Sequence, residues 1–109
     1  MKSKAIKNIN FLNLLSDYSK NSPRQFKTLL ENSSKHEVKA ISEIIFNILN
    51  RHLKSASFKK LQRHRNILRK IDDLKYPDSK KNILLKKGRG FLLPLLSVAI
   101  PALLQLFKR

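Results

Sequence analysis

The chain has 109 residues, enough for one small domain, and a formal net charge of +17 from 24 Lys and Arg against 7 Asp and Glu. It has no Cys, which excludes disulfides and thiol chemistry, and no Trp and only two Gly, which disfavours a β-rich or Gly-loop fold. Such an excess of cations opposes compaction by self-repulsion and drives association with polyanions, either nucleic acid or an anionic membrane surface.

The first element is a helix over 4–18, where Ile6, Ile9, Leu12 and Leu15 recur every three residues with Phe11 and Tyr18 nearby. Asn8, Asn10 and Asn13 interrupt this apolar run, so it reads as an amphipathic helix and not as a signal peptide. Ser22, Pro23 and Gln25 then supply an N-cap, a first-turn proline and a capping-box partner. They start a short second helix with Phe26, Leu29 and Leu30 on one face. Ser34 and Glu37 form a second capping box ahead of the strongest helical pattern in the chain. Its stripe runs through Val38, Ile41, Ile45, Ile48 and Leu49, joined by Ile44 and Leu53, and the earlier helices are the nearest elements to cover it.

A fourth helix is predicted over 58–74, with Phe58, Leu61, Leu68, Ile71 and Leu74 along one side and cations over much of the rest. Pro77 ends it. Asp78 caps a short segment through 83–87, which Gly88 terminates. The last stretch, 91–107, has no charged residue and would be about 25 Å long as a helix, short of a ~30 Å hydrocarbon core. Pro94 suits an early turn of that helix, and Pro101 would kink or end it.

The predicted fold class is all-α: a small helical bundle with a basic helix and a C-terminal apolar, proline-kinked helical tail. Three regions follow from the charge distribution: a helical N-terminal region over 1–54, a basic nucleic-acid-binding region over 55–90, and an apolar tail over 91–109. Residues 51–90 alone carry 14 cations and 3 anions, whereas 1–50 carry 8 and 4.

In the basic region a Lys or Arg recurs about every third residue, a density suited to phosphates and not to base edges. The candidate nucleic-acid-binding residues are Lys59, Lys60, Arg63, Arg65, Arg69, Lys70, Lys80, Lys81, Lys86, Lys87 and Arg89. Aromatic interleaving is limited to Phe58 and Tyr76, which argues against a single-strand stacking platform; the expected partner is double-stranded DNA, with RNA left open beside it. His36, His52 and His64 are too scattered for a metal site, and no cofactor motif is present. Asp72 and Asp73 are adjacent and point apart on a helix, so no paired-carboxylate chemistry is expected and the chain reads as non-enzymatic.

For the tail, three readings stand side by side: a buried core or assembly segment, a short tail anchor, and a membrane-active peptide drawn to anionic headgroups by its flanking cations. The residues concerned are Phe91, Leu92, Leu93, Leu95, Leu96, Val98, Ile100, Leu103, Leu104, Leu106 and Phe107. The partners expected on these readings are an anionic membrane, a capsid protein or a second copy of the chain.

The stretch "GRGFLLPLLSVAIPALL" resembles the C-terminal region of the adenoviral precursor of the small core protein called X or mu. In that family an Arg-rich segment meets a Gly-Gly-type junction, followed by a run of Leu-Pro-Leu-Leu character and a second proline. The wider layout, with "KHEVKAISEI", a basic helix and a terminal apolar peptide, is similar to small proteins of the Maverick/Polinton and adintovirus group. The resemblance implies a virion core protein packed with the genome, located in the virion interior, in the host nucleus during assembly and against host membrane as the virion penetrates. It also implies processing by a viral cysteine protease at Gly88, Arg89, Gly90 and Phe91. That protease prefers an apolar residue four positions before the cut, where this chain has Lys86 or Lys87. The alternatives are a cellular nucleic-acid-binding accessory protein with a buried apolar tail, and a tail-anchored or membrane-lytic cationic peptide precursor.

Overall fold

A computed structural model describes the backbone of residues 7–50 and 63–107, with the side chains of these except 50, 89 and 102–107. All regular structure among the described residues is helical. The helices that the described residues form are, in order, α1 Ile9–Asn21, α2 Pro23–Glu31, α3 Lys35–Asn50, α4 Arg65–Asp73 and α5 Pro77–Phe107. The predicted stretches 1–6 and 51–62, including Ile6, His52, Leu53, Phe58, Lys59, Lys60 and Leu61, lie outside the described residues.

Local chemistry sets the helix boundaries. Ser22 is extended, with φ −151°, and serves both as the end of α1 and the cap of α2. Its N–H donates to Tyr18 O at 2.9 Å and its Oγ accepts from the Gln25 N–H at 3.3 Å. Pro23 occupies the first turn of α2, where its missing N–H and fixed φ carry no penalty. At the other end of α2, Ser33 Oγ donates to Leu30 O at 2.6 Å and Asn32 Nδ2 to Thr28 O at 2.8 Å, each beside a backbone N–H that the same carbonyl accepts from the same residue. The second capping box forms in full: Ser34 N–H donates to Glu37 Oε1 at 2.8 Å, and Glu37 N–H donates to Ser34 Oγ at 3.2 Å.

The apolar stripes meet in one core. Phe11, Leu12 and Leu15 of α1, Phe26 and Leu30 of α2, and Ile41, Ile44, Ile45 and Ile48 of α3 are buried together with Leu68 and Ile71 of α4. The same cluster includes Leu84, Phe91, Leu92, Leu95, Leu96, Ala99 and Ile100 of α5, so it is continuous across the region boundaries drawn at 54/55 and 90/91. α5 packs against α1, α2 and α3, and α4 packs on α3. The radius of gyration, 12.9 Å, matches the ~13 Å typical of a compact domain of this length.

α5 departs from expectation in two ways. It does not stop at Gly88, and it does not form a separate tail. Gly88 and Gly90 both keep negative φ inside the helix. Gly88 is buried, and a Cβ there would lie 3.0 Å from Leu92 Cδ1. The helix also passes through Pro94 and Pro101. The reason is energetic. An interior proline costs a helix about 3 kcal/mol and a glycine about 1 kcal/mol. Burying one large apolar side chain returns about 1.5–3 kcal/mol, and α5 buries Phe91, Leu92, Leu95, Leu96 and Ile100 in a stretch of ten residues. Tertiary burial therefore outweighs the local breakers. Gly90 and Pro101 face solvent, and Pro94 is half-buried. The carbonyl of Gly90, whose helical donor Pro94 lacks, thus lies on the outer side of the helix, where water can reach it. Among the described residues no helix is long and apolar enough to cross a membrane.

Candidate nucleic-acid interface

α4 is a short two-faced helix. Leu68 and Ile71 are buried against the core, while Arg65, Asn66, Arg69, Lys70 and Asp73 are exposed on the opposite side. The 3.6-residue period brings this about: positions 65, 66, 69, 70 and 73 fall within one arc, opposite 68 and 71. Arg63 is exposed just ahead of the helix. The rings of His64 and Phe91 lie 6.3 Å apart, so the start of α4 sits beside the middle of α5. Leu74–Tyr76 link α4 to α5. Lys86 and Lys87 of α5 are also exposed.

The charges of α4 are mixed with respect to its dipole: Lys70 in the last turn favours it, whereas the two ends carry the unfavourable signs. No acidic residue occupies its first turn, where Arg65 follows Arg63 at the positive end. Asp72 and Asp73 sit at the negative end. Each such placement typically costs about 0.3–1 kcal/mol at an exposed site. The helix is held by Leu68 and Ile71 and not by its electrostatics.

Lys80 and Lys81, expected among the phosphate-binding cations, are instead used inside the fold. Lys80 Nζ donates to Ser42 Oγ at 2.6 Å. Lys81 Nζ donates to Ser33 O at 2.7 Å and to Glu31 O at 3.2 Å. The start of α5 is seated against the α2–α3 turn, and the carbonyls at the negative end of α2 draw the ammonium inward. The side chain of Arg89 lies outside the described residues, as do Lys59 and Lys60.

Among the described residues, the apolar side chains assigned to membrane or assembly contact go mostly into the core. Phe91, Leu92, Leu95, Leu96 and Ile100 are buried, and Leu93 and Val98 are half-buried. The side chains of Leu103, Leu104, Leu106 and Phe107 lie outside the described residues. The residues expected at a processing junction, 88–91, are helical, with Gly88 and Phe91 buried. Among the described residues no cluster of His, Asp or Glu could hold a metal ion.

One feature has no counterpart in the expected site. A cleft of about 380 Å³ opens between α3 and the α4–α5 link, lined by residues that include Lys39, Ser42, Glu43 and Phe46 from α3 and Asp72, Lys75 and Lys80 from beyond it. No motif joins these positions; the only hint in sequence is Phe46, an aromatic on the polar side of the α3 stripe.

Comparison of the chain with protein-family models, with curated proteins and with solved structures finds no match.

Proposed function

We propose that this protein is a non-enzymatic nucleic-acid-binding protein that grips backbone phosphates through the exposed cations of α4 and α5: Arg63, Arg65, Arg69, Lys70, Lys86 and Lys87. The observation that carries this reading is the outward face of α4, where Arg65, Arg69 and Lys70 stand in solvent opposite buried Leu68 and Ile71. Long cationic side chains on a helix reach phosphates without reading bases, so binding is non-specific and strongly salt-dependent. A duplex is the favoured partner, because among the described residues of this region Tyr76 alone is an exposed aromatic, too few for a stacking row.

The resemblance of 88–104 to the X or mu precursor supports a virion core setting, with the genome as the polyanion. Within that setting the apolar stretch is read as core. The burial of Phe91, Leu92, Leu95, Leu96 and Ile100 favours a nucleic-acid-binding protein with an internal apolar helix over one with a separate membrane-active tail. Titration of a 20-base-pair duplex of mixed sequence at several salt concentrations tests the reading. The expected result is binding that is indifferent to sequence and lost at high salt. Salt-insensitive binding, or none at low salt, would overturn it.

A further inference from the structure

We infer that α4 enters the major groove of B-form DNA, with its flanking cations on the two strands and Asn66 toward the groove floor. This rests on the phosphate-gripping reading above and adds to it which duplex is held and by which arrangement of side chains.

The order of side chains around α4 carries the inference. Leu68 and Ile71 are buried against the core, and Asn66 is exposed on the side turned away from them. At about 100° per residue, Arg69 lies about 60° from Asn66 on one side and Lys70 about 40° on the other, with Arg65 beyond Arg69. All three cations are exposed. The middle of the outer face is therefore a neutral amide with cations on both sides of it. A helix riding along one backbone is served best by cations at the middle of its face, where phosphates touch first. Cations flanking an uncharged middle instead match a groove, two phosphate rims with base edges between them.

The dimensions agree. The major groove of B-DNA is about 12 Å wide, and a helix with its side chains is about 10–12 Å across. The minor groove, about 6 Å wide, would exclude it. Arg63 is exposed ahead of α4, whereas Asp72 and Asp73 close its last turn. The end that enters thus carries the cations, and the carboxylates stay outside beside the link. Every base pair shows both a donor and an acceptor in the major groove, so one amide finds a partner on any of them and adds depth without a sequence code. A-form RNA offers no such seat, because its major groove is deep and too narrow for side chains to read. Its phosphates carry the same charge, so a protein that met phosphates alone would hold both duplexes alike.

The test uses the full chain and three fluorescent 20-base-pair duplexes of one sequence: plain DNA, RNA, and DNA whose cytosines are glucosylated 5-hydroxymethylcytosines. The glucose fills the major groove and leaves the phosphates unchanged. At equal, low salt the plain DNA should bind about tenfold more tightly than either of the others, the scale of one base-edge contact. Asn66→Trp adds bulk at the centre of the face without changing its charge. With helix content confirmed by circular dichroism, it should bring the DNA-to-RNA ratio to within about twofold of unity. RNA bound as tightly as plain DNA, or glucosylated DNA bound as tightly as plain DNA, would overturn the groove inference and leave the phosphate reading standing. Binding to none of the three would overturn the phosphate reading and this inference with it.

Discussion

Neutralising the outer face of α4 is the most informative perturbation of the proposed interface. In the triple variant Arg65→Ala, Arg69→Ala, Lys70→Ala, half of the six proposed cations are removed. Each neutralised phosphate contributes about −0.9 to the slope of log K against log salt, so six contacts give a slope of about −5 and three give about −3. Between 50 and 200 mM salt the unaltered protein should then lose roughly 10³-fold in affinity, and the variant only about 40-fold. The three side chains are exposed opposite Leu68 and Ile71, so the core is untouched. Removing Arg65 from the positive end of α4 should leave stability unchanged or raise it by a few tenths of a kcal/mol. Fluorescence anisotropy on a duplex over a salt series reads the slope, and urea denaturation reads the stability. An unchanged slope in a folded variant would refute the assignment of these residues to phosphate.

Leu95→Ala removes a fully buried side chain of α5 and should cost about 2–5 kcal/mol in urea denaturation; a cost below about 1 kcal/mol would show that 91–100 is not core. Lys81→Met keeps the aliphatic stem but deletes the donor to Ser33 O and Glu31 O, and should cost about 1 kcal/mol with duplex affinity lowered less than twofold. Gly90→Ala meets nothing within 4 Å, keeps a helical φ, and should stabilise the protein by about 0.5–1 kcal/mol; destabilisation would mean that the chain breaks there.

The boundaries between the first three helices could be read directly from sequence because their signals are local. Ser22, Pro23 and Gln25 fall within one turn, as do Ser34 and Glu37, and their hydrogen bonds join neighbours in the chain. The burial of Leu68 and Ile71 was equally visible, since periodicity alone separates them from Arg65 and Arg69, but the helix expected over 58–74 is interrupted by a turn at 63–64 and α4 starts at Arg65. α5 was misread because its decisive term is not local. Gly88 and Pro101 each signal a break and Pro94 a new start, and only the surfaces of α1, α2 and α3 make a continuous helix worth its backbone cost. The same holds for Lys80 and Lys81: a cation run does not reveal which ammonium will find a carbonyl dozens of residues upstream. The cleft joins Phe46 to Lys75 through the packing of α3 on α4, which no spacing rule anticipates.

Backbone amide mapping tests the phosphate-gripping surface most directly. On titrating the ¹⁵N-labelled protein with a blunt duplex at low salt, the account predicts chemical-shift changes concentrated at residues 63–70 and 86–87. Those changes should disappear together as salt is raised, with the α1 amides unmoved. Changes centred on α1 and α2, or changes at 63–70 that persist at high salt, would contradict it.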